Sequence, residues 1–122
     1  MKVLFVTGAR DWNDPRPIQR EFDAVQPDLV IEGAARGADA LAGREARLRD
    51  MEPEEYPAEW DRYGRAAGPI RNGWMLARLE ELRAEGHEVV CRAFHEDLSA
   101  SKGTADMVEK LRGAGFEVEV RG

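Results

Sequence analysis

Short apolar runs alternate with helix-length amphipathic segments along the whole chain, and this alternation constrains the fold more than any motif does. Val3-Leu4-Phe5-Val6 and Leu29-Val30-Ile31 have no polar break, as strands buried on both faces require. Between them Ile18, Phe22 and Val25 recur at i, i+4 and i+7 behind Asp14-Pro15, which predicts a helix that Pro27 ends. The stripe Ala38, Leu41, Ala42 and Leu48 predicts a second helix, and Glu54 to Pro57 a short third strand. An irregular aromatic stretch, Ala58 to Gly68, leads to a helix opened by Pro69 with Met75, Leu76, Leu79 and Leu82 inside, and Gly86 closes it. Val89 to Phe94 reads as the fourth strand. Ala105, Val108 and Leu111 stripe a fourth helix, and Phe116 to Val120 is the last strand, beyond Gly113 and Gly115.

Five strands joined by long crossovers predict a single Rossmann-like α/β domain over residues 1–122, with a mostly parallel sheet and helices on both faces. The strand order expected for such a chain is 3-2-1-4-5. Ligands of these sheets sit beyond the carboxyl ends of the strands, where the order reverses, here between the first and fourth strands. The loops that fall there are Thr7 to Asp14 and His95 to Thr104, with Gly33 to Asp39 beside them. These are the polar, glycine-bearing loops of the chain. At the opposite end, Gly86-His87 and Gly113-Ala114-Gly115 read as ordinary turns.

Composition narrows the function classes. No apolar run approaches a membrane span and the N-terminus has no signal-peptide pattern, so a cytoplasmic protein without a membrane partner is expected. The single cysteine, Cys91, lies in an apolar run and reads as a core residue. His87 and His95 are the only histidines, with no metal-binding spacing, so no metal site is expected. A net charge of -6 makes nucleic acid an unlikely partner. Charge is uneven, however: Leu79 to Glu88 carries Glu80, Glu81, Glu85 and Glu88 against Arg83, whereas Trp60 to Asn72 carries Arg62, Arg65 and Arg71 against Asp61.

The stretch Gly33-Ala34-Ala35-Arg36-Gly37-Ala38-Asp39 follows a strand and opens a helix. Helix N-termini present unpaired N–H groups and partial positive charge, so Gly33 and Gly37 can let the backbone approach a phosphate while Arg36 pairs with it. Asp39 has two readings, a functional carboxylate or a structural one that caps free N–H groups or pairs with Arg36. Ser101-Lys102-Gly103-Thr104 offers a second anion site before a helix, without P-loop or dinucleotide-fingerprint spacing. Gly8 and Arg10 join the candidate site by their place in the first loop. Trp60 suits a base, with Tyr63 beside it, and Asp61 suits ribose hydroxyls. Arg71-Asn72, near the start of a helix, is badly placed for the helix dipole unless an anion is close.

The stretches Gly33 to Asp39, Trp60 to Asn72 and Lys102 to Met107, in this order, resemble the YspA-type, YpsA-related branch of the SLOG superfamily, Rossmann-like proteins of bacteria and phages. The resemblance extends from Val3 to Val120. It implies a fold that binds nucleotides or their derivatives, with lonely-guy phosphoribohydrolases and DprA as distant relatives. Two departures matter. Members commonly carry Pro-Gly-Gly-x-Gly-Thr in the last loop, where this chain has Ala100-Ser101-Lys102 ahead of Gly103-Thr104. The phosphoribohydrolase glutamate falls on Met107, and Asp106, one residue earlier, points about 100° away on a helix.

The function expected is therefore binding of a nucleotide or nucleotide-derived ligand, as a sensor or sequestering module, with no further cofactor required. Nucleotide N-glycosidic hydrolysis is the alternative, with Asp39, Asp61 or Asp106 as the carboxylate. DprA-like binding of single-stranded nucleic acid is a third reading, which the acidic balance disfavours. A dimer that completes the shallow site is expected of so small a fold.

Overall fold

The central strand is β1 (Lys2–Gly8), and burial of Val3, Leu4, Phe5 and Val6 on both of its faces accounts for its unbroken apolar run. The computed structural model describes residues 1–122 and sets β1 between β2 (Leu29–Glu32) and β4 (Glu88–Phe94). The short β3 (Glu54–Glu55) and β5 (Val118–Arg121) form the edges, giving the order β3-β2-β1-β4-β5. Every pairing is parallel, and Phe5 stands in register with Ile31 on one side and Cys91 on the other. The sheet thus has the predicted order, and it is parallel throughout.

Two hydrophobic cores flank it. Helices α1 (Arg16–Val25) and α2 (Ala38–Leu48) cover Leu4, Val6, Val30 and Phe94. On the opposite face α4 (Ala67–Ala84) and α5 (Gly103–Gly113) cover Val3, Phe5, Ile31 and Cys91. No helix is long and apolar enough to cross a membrane.

Two expectations are corrected. The stretch from Ala58 to Gly68 is largely helical: α3 (Trp60–Tyr63) and a 3₁₀ turn (Gly64–Ala66) run into α4, which begins two residues before Pro69. Pro69 fits there because the first turn of a helix needs no N–H partner. The aromatic and arginine residues of this stretch lack an apolar period and hid its helicity. Leu48 is 66 % exposed and outside the core, because the inner face of α2 runs through Ala38, Ala42 and Ala46 instead.

Small residues on α2 let its first turn lie against the end of β1. A Cβ on Gly8 would stand 2.4 Å from the Phe94 carbonyl oxygen and 2.6 Å from the Ala38 Cβ. Gly37, at φ 76°, brings the chain so close to the first loop that a Cβ would lie 2.1 Å from the Ala9 carbonyl oxygen, and the Ala38 N–H donates to that oxygen at 3.1 Å. The loop after β1 and the start of α2 are therefore locked in one register. Gly37→Ala is expected to destabilise the fold by about 2 kcal/mol or more, through both the left-handed backbone and the clash, read as a lower urea midpoint with unchanged slope.

Candidate functional site

The carboxyl ends of β1, β2 and β4 deliver three loops to one side of the sheet, and a dipeptide on α4 joins two of them. Arg71 and Asn72 are both buried in the first turns of α4. The Arg71 guanidinium donates to the carbonyl oxygens of Gly33 and Tyr56 and to the Asn72 side chain. Asn72 in turn donates to the Gly103 carbonyl oxygen at 3.2 Å and to the Asp106 carboxylate at 3.0 Å. Burial lowers the Arg71 pKa, and the Asp39 carboxylate opposes that shift. The dipole argument from sequence pointed to an anion near Arg71, and the anion found there belongs to the chain.

Asp39 accepts from the N–H of Gly33 at 3.1 Å and of Ala35 at 3.4 Å, while Glu32 accepts from Ala34 at 2.5 Å. The glycine turn is thus filled by two internal carboxyls, and Asp39 takes the capping one of its two readings. A Cβ on Gly33 would meet Arg71 and Asp39, at 2.7 and 2.8 Å, so this glycine makes room for two of the chain's own charged side chains. Gly43 likewise makes room for Glu32, whose Oε2 would stand 2.4 Å from a Cβ there. Glu32 Oε2 and Asp39 Oδ1 are buried without a hydrogen-bond partner. Burial, reinforced by the neighbouring Glu55 carboxyl, pushes Glu32 up to about 8. Burial also raises Asp39, to about 7, against the pull of the Arg71 charge.

Outside this filled turn lies an open cleft of about 650 Å³. The first loop gives it Gly8 and Arg10, the start of α2 gives Arg36 and Asp39, α4 gives Arg71 and Asn72, and the last loop gives Ser101, Lys102, Gly103 and Thr104. A smaller cavity of about 210 Å³ adjoins it, sharing Arg10, Arg36 and Arg71 and walled by Gly33 and Trp60, whose ring packs 5.3 Å from the Arg10 guanidinium. Gly37, Asp61, Tyr63 and Asp106 line neither space. Tyr63 instead meets Trp74 edge-on, Asp61 is exposed, and Asp106 is held by Lys110 and Asn72. His95, in which the sequence showed no metal-binding spacing, stands in the cleft wall with Nδ1 accepting from the Asp97 N–H. Its position directly after the fourth strand was the signal. Glu32 gave none, since an acidic residue ending a strand reads as solvated.

Arg71→Met is expected to cost about 3–5 kcal/mol in urea unfolding, because it strands the Gly33 carbonyl and leaves the Asp39 carboxyl without its buried counter-charge. A pH dependence follows as well. Asp39 and Glu32 hold protons more tightly when folded, so their contribution is complete below the ordinary carboxylate pKa. It is lost as pH rises towards about 7 for Asp39 and about 8 for Glu32. Stability is expected to fall by on the order of a few kcal/mol between about pH 5 and about pH 9, with Asp39→Asn and Glu32→Gln each flattening the profile in a melting series.

Comparison with known proteins agrees with the fold. Residues 1–63 match the model of the YspA, cpYpsA-related SLOG family, a span that holds β1, the glycine turn and Trp60. Over 131 aligned residues the chain is 33% identical to the Gene 61 protein of Mycobacterium phage D29, covering 97% of this chain and 94% of that protein. The chain belongs to the YspA, cpYpsA-related SLOG family.

Proposed function

We propose that this is a cytoplasmic, homo-oligomeric module that binds a nucleotide or nucleotide-derived small molecule, as a sensor or by sequestration. One observation carries the reading: two helix N-termini with free donors, and three unpaired cations, converge on one cleft. The N–H groups of Arg36, Gly37, Asp39 and Ala40 at the start of α2, and of Gly103 and Ala105 at the start of α5, make no backbone hydrogen bond within the chain. Arg10, Arg36 and Lys102 line the same cleft, and none of the chain's ion pairs involves them. Amides and guanidinium groups together suit a phosphate. Trp60, beside Arg10 on the adjoining cavity, offers an aromatic face for a base. Asp61 and Tyr63 do not reach that cavity and have no part in the reading.

Hydrolysis is the less favoured alternative on chemical grounds. Met107, at the position where the resemblance expects a glutamate, is fully buried in the core. Asp106 is engaged by Lys110, and Asp39 by the amides of the glycine turn. Of the three carboxylates that the sequence offered, Asp61 and Asp106 lie outside the cleft and Asp39 is engaged through one oxygen by the glycine turn, which leaves hydrolysis without its expected acid.

A melting assay with nucleoside monophosphates, NAD and ADP-ribose tests the proposal. At least one is expected to raise Tm, and Arg36→Ala or Lys102→Ala is expected to weaken its binding by about 10- to 100-fold, the loss of a charge-assisted contact. A panel without any stabilisation overturns the reading, and release of free base from any of these compounds replaces it with the hydrolase.

A further inference from the structure

We propose that the outward face of α4 is a homodimer interface, on which the helix packs antiparallel against a second copy of itself about Gly73. This gives a surface to the oligomer named above and is independent of any ligand.

The sequence of α4 has two sides. Met75, Leu79 and Leu82 face the core. Ile70, Gly73, Trp74 and Ala77, at i, i+3, i+4 and i+7, face the other way. Trp74 is 39 % exposed and is steadied by the edge of Tyr63, 6.1 Å between ring centroids. A Cβ on Gly73 would meet nothing within 4 Å, so a neighbouring backbone can come close there. A half-exposed tryptophan beside an open glycine is a suitable anchor for a helix pair.

Charge selects the occupant. Arg62 and Arg65 precede this face and Glu80, Glu81 and Glu85 follow it, which is the asymmetry visible in the sequence. In a two-fold antiparallel pair centred on Gly73, a residue some number of positions before it faces one the same number after it on the other copy. Arg65 stands eight before Gly73 and Glu81 eight after it. Arg65, in the 3₁₀ turn that leads into α4, therefore meets Glu81 of the other copy, twice over by symmetry. A parallel pair would set like charges together. Arg62, Arg65 and Glu80 form no ion pair within the chain, and Glu81 shares Arg78 with Glu54. A surface complementary to itself in shape and charge fits a second copy of this chain better than an unrelated partner.

Sedimentation equilibrium of the full chain is the test. The expected mass is twice 13.7 kDa. Arg65→Glu, and separately Glu81→Arg, are each expected to weaken the dimer by about tenfold or more, and mixing the two variants is expected to restore it, because opposite charges then face each other. Trp74→Ala gives a charge-independent check and is expected to weaken association by a similar factor. A wild-type chain that stays monomeric at every concentration overturns the proposal and leaves the face to solvent or to a different protein. A dimer that survives both charge reversals overturns it too, since its interface then lies elsewhere.

Discussion

The buried contact of Arg71 with the Gly33 carbonyl, and of Asn72 with the Gly103 carbonyl, decides where everything else at the carboxyl end of the sheet stands. Parallel strands deliver their loops to the same end but do not fix them relative to one another. Here two adjacent residues on one helix turn reach back to the loop after β2 and forward to the start of α5. The cost of burying a guanidinium is met by three acceptors and a nearby carboxyl, which is the condition under which such a group stabilises a structure. Because α4 is itself seated on the core through Met75 and Leu79, the clasp transmits the rigidity of the core to both loops.

A consequence is that the amides of the glycine turn are engaged within the chain and do not serve the open cleft beside it. In a phosphate loop the amides of the turn face the ligand; here those of Gly33, Ala34 and Ala35 face Asp39 and Glu32. The amides of the turn are occupied by its own carboxyls, so the attraction for an external anion moves outward, to the first amides of α2 and the side chains of Arg10 and Arg36. The Asp39 carboxyl lies between these two regions and titrates near neutrality. Its charge state sets the net charge of the cleft floor: when protonated it leaves the Arg71 charge uncancelled, and when ionised it neutralises it.

How much of this was legible depended on whether the governing interaction is local. The strands and the gathering of polar loops at one end of the sheet followed from unbroken apolar runs and from which turns were polar, both read within a few residues. The helical nature of Trp60 to Ala66 was hidden because its aromatic and arginine residues pack on one another and on Trp74, without an apolar period. Arg71 and Asn72 were singled out for a mismatch with the helix dipole, and the partners that hold them lie 38 and 34 residues away, in Gly33 and Asp106. Gly33, Gly37 and Gly43 were readable as places where something comes close. What comes close is the chain itself, and no sequence pattern separates that from a ligand.

The chain's acidity also bears on the choice between the small-molecule proposal and strand binding. The three unpaired cations, Arg10, Arg36 and Lys102, sit within one cleft of about 650 Å³. Beside it is a second recess of about 310 Å³ walled by Asp11, Asp14, Glu96 and Asp97. A nucleic-acid strand tracks a continuous basic groove over several phosphates, and here the cleft is bordered by this acidic wall, with Asp11 lining both. A compact anion meets only the cleft and has no reason to cross that wall. Positive charge confined within an acidic surface therefore selects against polymers while keeping a short-range attraction for a single phosphate group, which favours the small-molecule reading over one of strand binding.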